Sequence, residues 1–279
     1  KYLSDLDGTS KEEKLSDMAS FIDCYKAWID RLEAERQAPD FSKRYLLIAE
    51  KNISLCREAY ARMIAGLDTL KTNDVAWKAF VLANRAMFMQ RIHGEFQQQT
   101  HYPNDKNWQE SMAAVDYSAY PEDKCRWRPF QLAFLLMSIR SIVDPSCSER
   151  DLVDLIWFPT GGGKTEAYLG LTAFTIFHRR LLNPSNGGPA VMMRSTLRLL
   201  TSQQFTRAAT LICACEKIRK DEEKSNFKHY DLGKERITIG LWIGSQHVPN
   251  TNQDAKKAYD GLTTGAGNLK YKKDRYNKF

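Results

Sequence analysis

The sequence predicts an α/β fold, a parallel sheet with helices on both faces, preceded by an α-helical N-terminal region. Three observations lead there. Apolar residues recur at three- and four-residue steps from Leu15 to Ile92. After residue 125, short apolar runs alternate with longer amphipathic stretches, as strands alternate with covering helices. A glycine-rich turn joins the first of those runs to the stretch that follows. The expected division is a helical region over residues 1–125 and an α/β domain over residues 126–279.

Leu15, Met18, Ile22, Tyr25, Ile29 and Leu32 form the first apolar stripe, which Pro39-Asp40 interrupts. Tyr45, Ile48, Ile53, Cys56, Tyr60, Met63 and Ile64 form a second, expected to end near Gly66. Thr72-Asn73-Asp74 reads as the cap of a third helix, which holds Trp77, Phe80, Val81, Asn84, Met87, Phe88 and Ile92 and is expected to stop at Gly94. Such stripes are core packing before they are anything else. Residues 95–125, with Gln97-Gln98-Gln99, Tyr102-Pro103-Asn104-Asp105 and Tyr120-Pro121, read as loop.

Phe130 to Val143 reads as a helix. Leu152-Val153-Asp154-Leu155-Ile156-Trp157-Phe158 has the texture of a buried strand. A helix from Lys164 to about Leu182 follows the glycine turn. Asn183-Pro184-Ser185-Asn186-Gly187-Gly188 is a turn, and Ala190-Val191-Met192-Met193 is the second expected strand. Leu197 to Arg219 reads as a helix, Lys220 to Lys234 as a charged loop, and Ile237 to Ile243 as the third strand. The polar, lysine-rich stretch from Asn250 is expected to be mobile.

Composition bounds the class. Hydrophobic content of 43% and charged content of 27% are those of a globular chain. No apolar run reaches the ~18 residues of a membrane span. The first residues lack the apolar stretch of a signal peptide, and the chain opens on Lys1 and stops after Phe279, so a segment of a larger protein is expected. The net charge of +7 suits a polyanion partner, or is ordinary surface charge. Six cysteines without a C-x-x-C pair argue against a metal site or a disulfide framework and for a reducing, cytoplasmic setting. Cys213 and Cys215, two apart on a helix, point to different sides. The five histidines are isolated from one another in sequence and read as structural.

Pro159-Thr160-Gly161-Gly162-Gly163-Lys164-Thr165 carries the chemistry. Glycines let a backbone approach phosphates closely, their N–H groups form an anion nest, and the positive end of the next helix adds to it. Lys164 is placed to reach β- and γ-phosphates as the catalytic cation, and the Thr165 hydroxyl to ligate Mg²⁺. The expected ligand is therefore ATP with Mg²⁺, with Thr160, Gly161, Gly162, Gly163, Lys164, Thr165 and Glu166 around the phosphates. The strict phosphate-loop pattern wants glycine where this chain has Phe158.

Superfamily 2 helicases commonly relax that position while keeping Pro-Thr-Gly, and the chain resembles them here. Arg126-Trp127-Arg128-Pro129-Phe130-Gln131, with Gln131 33 residues before Lys164, looks like their Q motif. The resemblance implies that Gln131 reads adenine, since an amide both donates and accepts, with Arg128 and Phe130 packed beside it. A buried glutamine capping a helix is the other reading. The stretch Arg194 to Gln204 looks like motif Ia, which implies nucleic-acid backbone contacts from Arg194, Thr196, Arg198 and Gln203, or else a basic amphipathic helix. Gly244-Ser245-Gln246-His247 is a weaker candidate for a nucleic-acid-facing loop.

Five elements together look like the helicase subunit of DISARM anti-phage defence systems: Ala83 to Met87, Trp127 to Gln131, Trp157 to Tyr168, Thr196 to Leu200, and Gly240 to Gly244. The resemblance runs from about Trp77 to Asn252. It implies a first RecA-like domain behind a helical region, a longer ATP-dependent DNA helicase or translocase, DNA as ligand and a DUF1998-type partner subunit. Motif II, an apolar strand ending in Asp-Glu, is missing: Asp221-Glu222-Glu223 lies in a charged run without a strand before it. The segment is thus expected to bind ATP without hydrolysing it alone. Two other functions fit less well, a nucleotide-regulated DNA-binding scaffold and a small-molecule P-loop kinase.

Overall fold

Helices make the regular structure of the described residues. The computed structural model describes residue 3 and residues 10–99, 115–117, 125–157, 162–194, 198–224, 230–241 and 251–263. In order these are α1 (Lys11–Gln37), α2 (Leu46–Thr72), α3 (Asp74–Gln99), α4 (Pro129–Val143), α5 (Lys164–Leu182), α6 (Arg198–Lys224) and α7 (Asn252–Thr263). Short 3₁₀ turns at Lys43–Tyr45 and Ser148–Asp151 precede α2 and follow α4.

No strand forms among the described residues, so the expected parallel sheet is corrected to a mostly helical architecture. The runs assigned to strands have the right composition, but a strand exists only through its ladder partners. Leu152 to Trp157 has none among the described residues, and its apolar side chains other than half-buried Ile156 face solvent: Val153 is 95% and Trp157 89% exposed. Met192, at 86%, is equally bare in the second run. The third run is described from Ile237 to Leu241, and its entry, Gly233 to Ile237, is held by side chains. Glu216 of α6 accepts the Ile237 N–H at 2.9 Å, Arg219 donates to the Gly233 carbonyl at 2.9 Å, and Arg180 of α5 donates to the Arg236 carbonyl at 3.3 Å.

The helices follow the apolar stripes, with corrected ends. The α1 helix starts where Ser10 Oγ accepts the Glu13 N–H at 3.1 Å, and Glu12 and Glu13 complement its positive end. The expected cap at the third helix is present, with Asn73 Oδ1 accepting from the Ala76 N–H at 2.9 Å. The α2 helix runs through Gly66 to Thr72, and α3 runs through Gly94 to Gln99. Gly66 is a packing residue: a Cβ there would lie 1.8 Å from the Leu136 carbonyl oxygen of α4. The α6 helix extends to Lys224, so Asp221-Glu222-Glu223 is its last turn and not a solvated loop. Lys217 pairs with Asp221, Arg219 pairs with Glu223, and Glu222 is buried. Past Asn250, Thr251 Oγ1 accepts the Asp254 N–H at 3.1 Å and starts α7, where a mobile tail was expected.

The core lies where α3, α5 and α6 meet and where α2 and α4 close over them. Leu70, Leu82, Leu136, Leu169, Phe174, Phe177 and Leu211 are fully buried there. Cys213 is exposed and Cys215 buried, on opposite sides of α6 as their spacing requires. Among the described residues no helix is long and apolar enough to cross a membrane.

Arg62 ties α2 to the segment after α4. It donates to Asp154 at 2.6 and 2.7 Å, to Glu149 at 3.2 Å and to the Met137 carbonyl. The hydrogen bonds from Arg62 hold the Asp154 carboxyl below its usual range, against the opposing effect of burial. A depressed acid contributes stability above its unfolded value that is lost as pH falls through the folded value. Arg62→Met is therefore expected to cost about 1–3 kcal/mol at neutral pH. In urea melts the gap from the unaltered protein should narrow in acid; an equal gap at every pH would show that Asp154 takes no part.

Candidate nucleotide-binding site

The site is built from the N-termini of α4 and α5. It begins with an asparagine in the apolar stripe of α3. Asn84 is buried, donates to the Phe80 carbonyl at 2.8 Å and accepts the Trp127 indole N–H at 2.7 Å. Trp127 in turn packs on Gly170 of α5. The residue just before the Arg-Pro-Phe-Gln element is thereby fixed between α3 and α5, which sets where α4 begins.

Arg128 is the N-cap of α4, Pro129 its first helical residue and Gln131 its third. Gln131 is only 4% exposed. Its Oε1 accepts the Arg128 N–H at 2.8 Å and its Nε2 donates to the Gly163 carbonyl at 2.7 Å. Arg128 Nη1 donates to the Gly162 carbonyl at 2.7 Å. Both side chains therefore grip the carbonyls of the glycine loop. Those contacts hold the Gly162 and Gly163 carbonyls toward α4, and the head of a helix is by its dipole suited to an anion.

Gly163 is the N-cap of α5 at φ 86°, in the left-handed region. A Cβ there would come within 2.7 Å of Gln131 Nε2 and 3.4 Å of Glu166 Oε2. Both the backbone angle and the space call for glycine. Lys164, Thr165 and Glu166 form the first turn of α5, all half-buried. A glycine cradle that any side chain would fill, a positive helix end, a lysine and a hydroxyl fit a Mg²⁺-triphosphate, and Lys164 and Thr165 are the residues that would hold it. Glu166 adds a carboxylate beside that cradle and is ion-paired with Arg207 of α6.

Arg128, Gln131, Gly162, Gly163, Lys164, Thr165 and Glu166 lie together at the heads of α4 and α5. Thr160 and Gly161 lie outside the described residues. Of the nucleic-acid candidates, Arg194 is exposed ahead of α6, and Arg198 and Gln203 fall on its first two turns, although their side chains lie outside the described residues, as does Thr196 altogether. Gly244 to His247 also lie outside. Sequence reading gave no role to the Asn84–Trp127 pair, although a polar residue inside an apolar stripe is a signal for one. It missed Arg207, for which no local signal exists.

No protein-family model matches the chain. Over 252 residues, 88% of its length, the chain is 32% identical to the DISARM protein DrmA of Bacillus paralicheniformis. It spans 20% of that protein's length. The chain is therefore similar to a DISARM protein over nearly all of its own length and a fifth of the other's.

Proposed function

We propose that this chain is the nucleotide-binding part of an anti-phage defence subunit that, at full length, hydrolyses ATP in a DNA-stimulated way and acts as a helicase or translocase. One observation carries the reading: left-handed Gly163 at the head of α5, directly before Lys164, with Gln131 and Arg128 holding the carbonyls of Gly163 and Gly162. The likeness to the DISARM protein DrmA supports the defence setting. Lys164 meets the β- and γ-phosphates, Thr165 the Mg²⁺, and Arg194, Thr196, Arg198 and Gln203 supply the DNA backbone contacts. A DUF1998-type subunit is the proposed partner.

The test is ATP turnover by the full-length protein with and without duplex DNA, alongside strand displacement. Stimulation with displacement fits a helicase. Stimulation without displacement fits a translocase that does not separate strands. DNA binding with no turnover would instead make it a nucleotide-regulated scaffold.

Gln131 carries a second expectation. In this structure its amide is spent on the loop, so adenine recognition requires it to exchange or share the Gly163 contact. Gln131→Ala is expected to lower ATP affinity about three- to tenfold through the lost loop contacts. It should also narrow the preference for ATP over GTP. Equal use of ATP and GTP by the unaltered protein would leave Gln131 as a loop support only.

A further inference from the structure

The Glu166–Arg207 ion pair joins two parts of the site that the sequence read separately. Glu166 is the third residue of α5, with its carboxylate 3.4 Å from where a Gly163 Cβ would stand. A carboxylate at that point of a helix is favourable by itself, because it faces the positive end of the helix. The same carboxylate opposes a triphosphate, since two anions would share one nest. Arg207 reaches it from α6, whose first turns hold Arg198 and Gln203. The Glu166 side chain is 23% exposed and that of Arg207 42%, so water screens the pair only in part.

We infer that Arg207 is a positioning residue for the nucleotide: by neutralising Glu166 it makes the head of α5 acceptable to a polyphosphate, and it ties that acceptance to the placement of α6. The inference rests on the nucleotide-binding reading above. Arg207 acts through Glu166 and has no contact with the phosphates. Displacement of α6 would release Glu166 and weaken nucleotide binding, so the pair is also a route by which events at the start of α6 reach the loop.

The experiment measures binding of fluorescent mant-ATP with Mg²⁺ to the full-length protein and to four variants, at low and high salt. Arg207→Ala is expected to weaken affinity about five- to tenfold at low salt, less at high salt, because a partly exposed charge effect is screened. Glu166→Gln in the Arg207→Ala background should restore affinity to within about twofold, since no carboxylate is left to neutralise. Arg207→Lys should keep most of the affinity. Unchanged affinity in Arg207→Ala overturns the inference. So does a loss that Glu166→Gln does not repair, which would mean Arg207 contacts the nucleotide itself. Lys164→Ala separates the two levels: if it alone loses mant-ATP, only the inference fails, whereas full binding by Lys164→Ala removes the nucleotide reading and the inference with it.

Discussion

Lys164→Ala is expected to lower ATP turnover by the full-length protein about a hundred- to a thousandfold. Phosphoryl transfer asks little covalent chemistry of the protein, so the rate depends on positioning and on cations placed where charge develops. Lys164 is the first residue of α5, beside the only residue of the described loop in a left-handed conformation, Gly163. Alanine keeps the helix, because it is the strongest helix former, and removes the ammonium group with its stem. The fold should therefore survive and the chemistry should not. Removing Gln131 takes away two hydrogen bonds between neutral groups, each worth about 1 kcal/mol, and so costs far less. Turnover should be assayed with and without DNA. If the Lys164→Ala protein hydrolyses ATP as the unaltered one does, α5 is not the head of an ATP site.

How far the sequence went can be judged at particular residues. Six of the seven helices were legible because helical periodicity is local, and α5 was expected from Lys164 to about Leu182, close to its observed bounds. The turn ahead of α5 was legible for the same reason, since its glycines, lysine and threonine are consecutive. Gly66 and Gly94 were misread as stops. A glycine at a helix end and a glycine at a helix crossing look alike in sequence, and only the approach of Leu136 tells them apart. The strand assignments failed one level higher. Leu152 to Trp157 shows a demand for burial, but what meets that demand is a neighbouring strand, and among the described residues no strand is paired with it. The pairings that shape the site, Asn84 with Trp127, Gln131 with Gly163 and Glu166 with Arg207, are tertiary, and periodicity carries no trace of them.

Gly66→Ala is the substitution expected to damage the fold most. Away from neighbours, glycine to alanine inside a helix gains up to about 1 kcal/mol from a more restricted unfolded chain and better helix propensity. At Gly66 the new methyl would stand 1.8 Å from the Leu136 oxygen and 2.8 Å from its carbonyl carbon. Both are backbone atoms of α4, so no side chain can swing aside. The helices must part by more than 1 Å, roughly the shortfall from an ordinary van der Waals contact. That opens space around Leu136, which is completely buried, and around Leu70 and Ile139 beside it in the core. Overpacking usually costs 1–3 kcal/mol, occasionally more, and a backbone clash belongs at the upper end. We expect a net loss of about 3 kcal/mol and a fall in Tm of roughly 6–12 °C. Gly94→Ala is the matched control, because no atom lies within 4 Å of its added Cβ and the residue is inside α3. It should leave Tm unchanged or raise it. Opposite signs for the same substitution in two helices would locate the effect at the α2–α4 crossing; a similar small change in both would mean the helices are free to separate. The consequence reaches the site, because Leu136 and Gln131 share α4. An α4 displaced at Leu136 carries Gln131 away from the Gly163 carbonyl, so whatever Gly66→Ala protein remains folded should also bind mant-ATP more weakly than the Gly94→Ala protein.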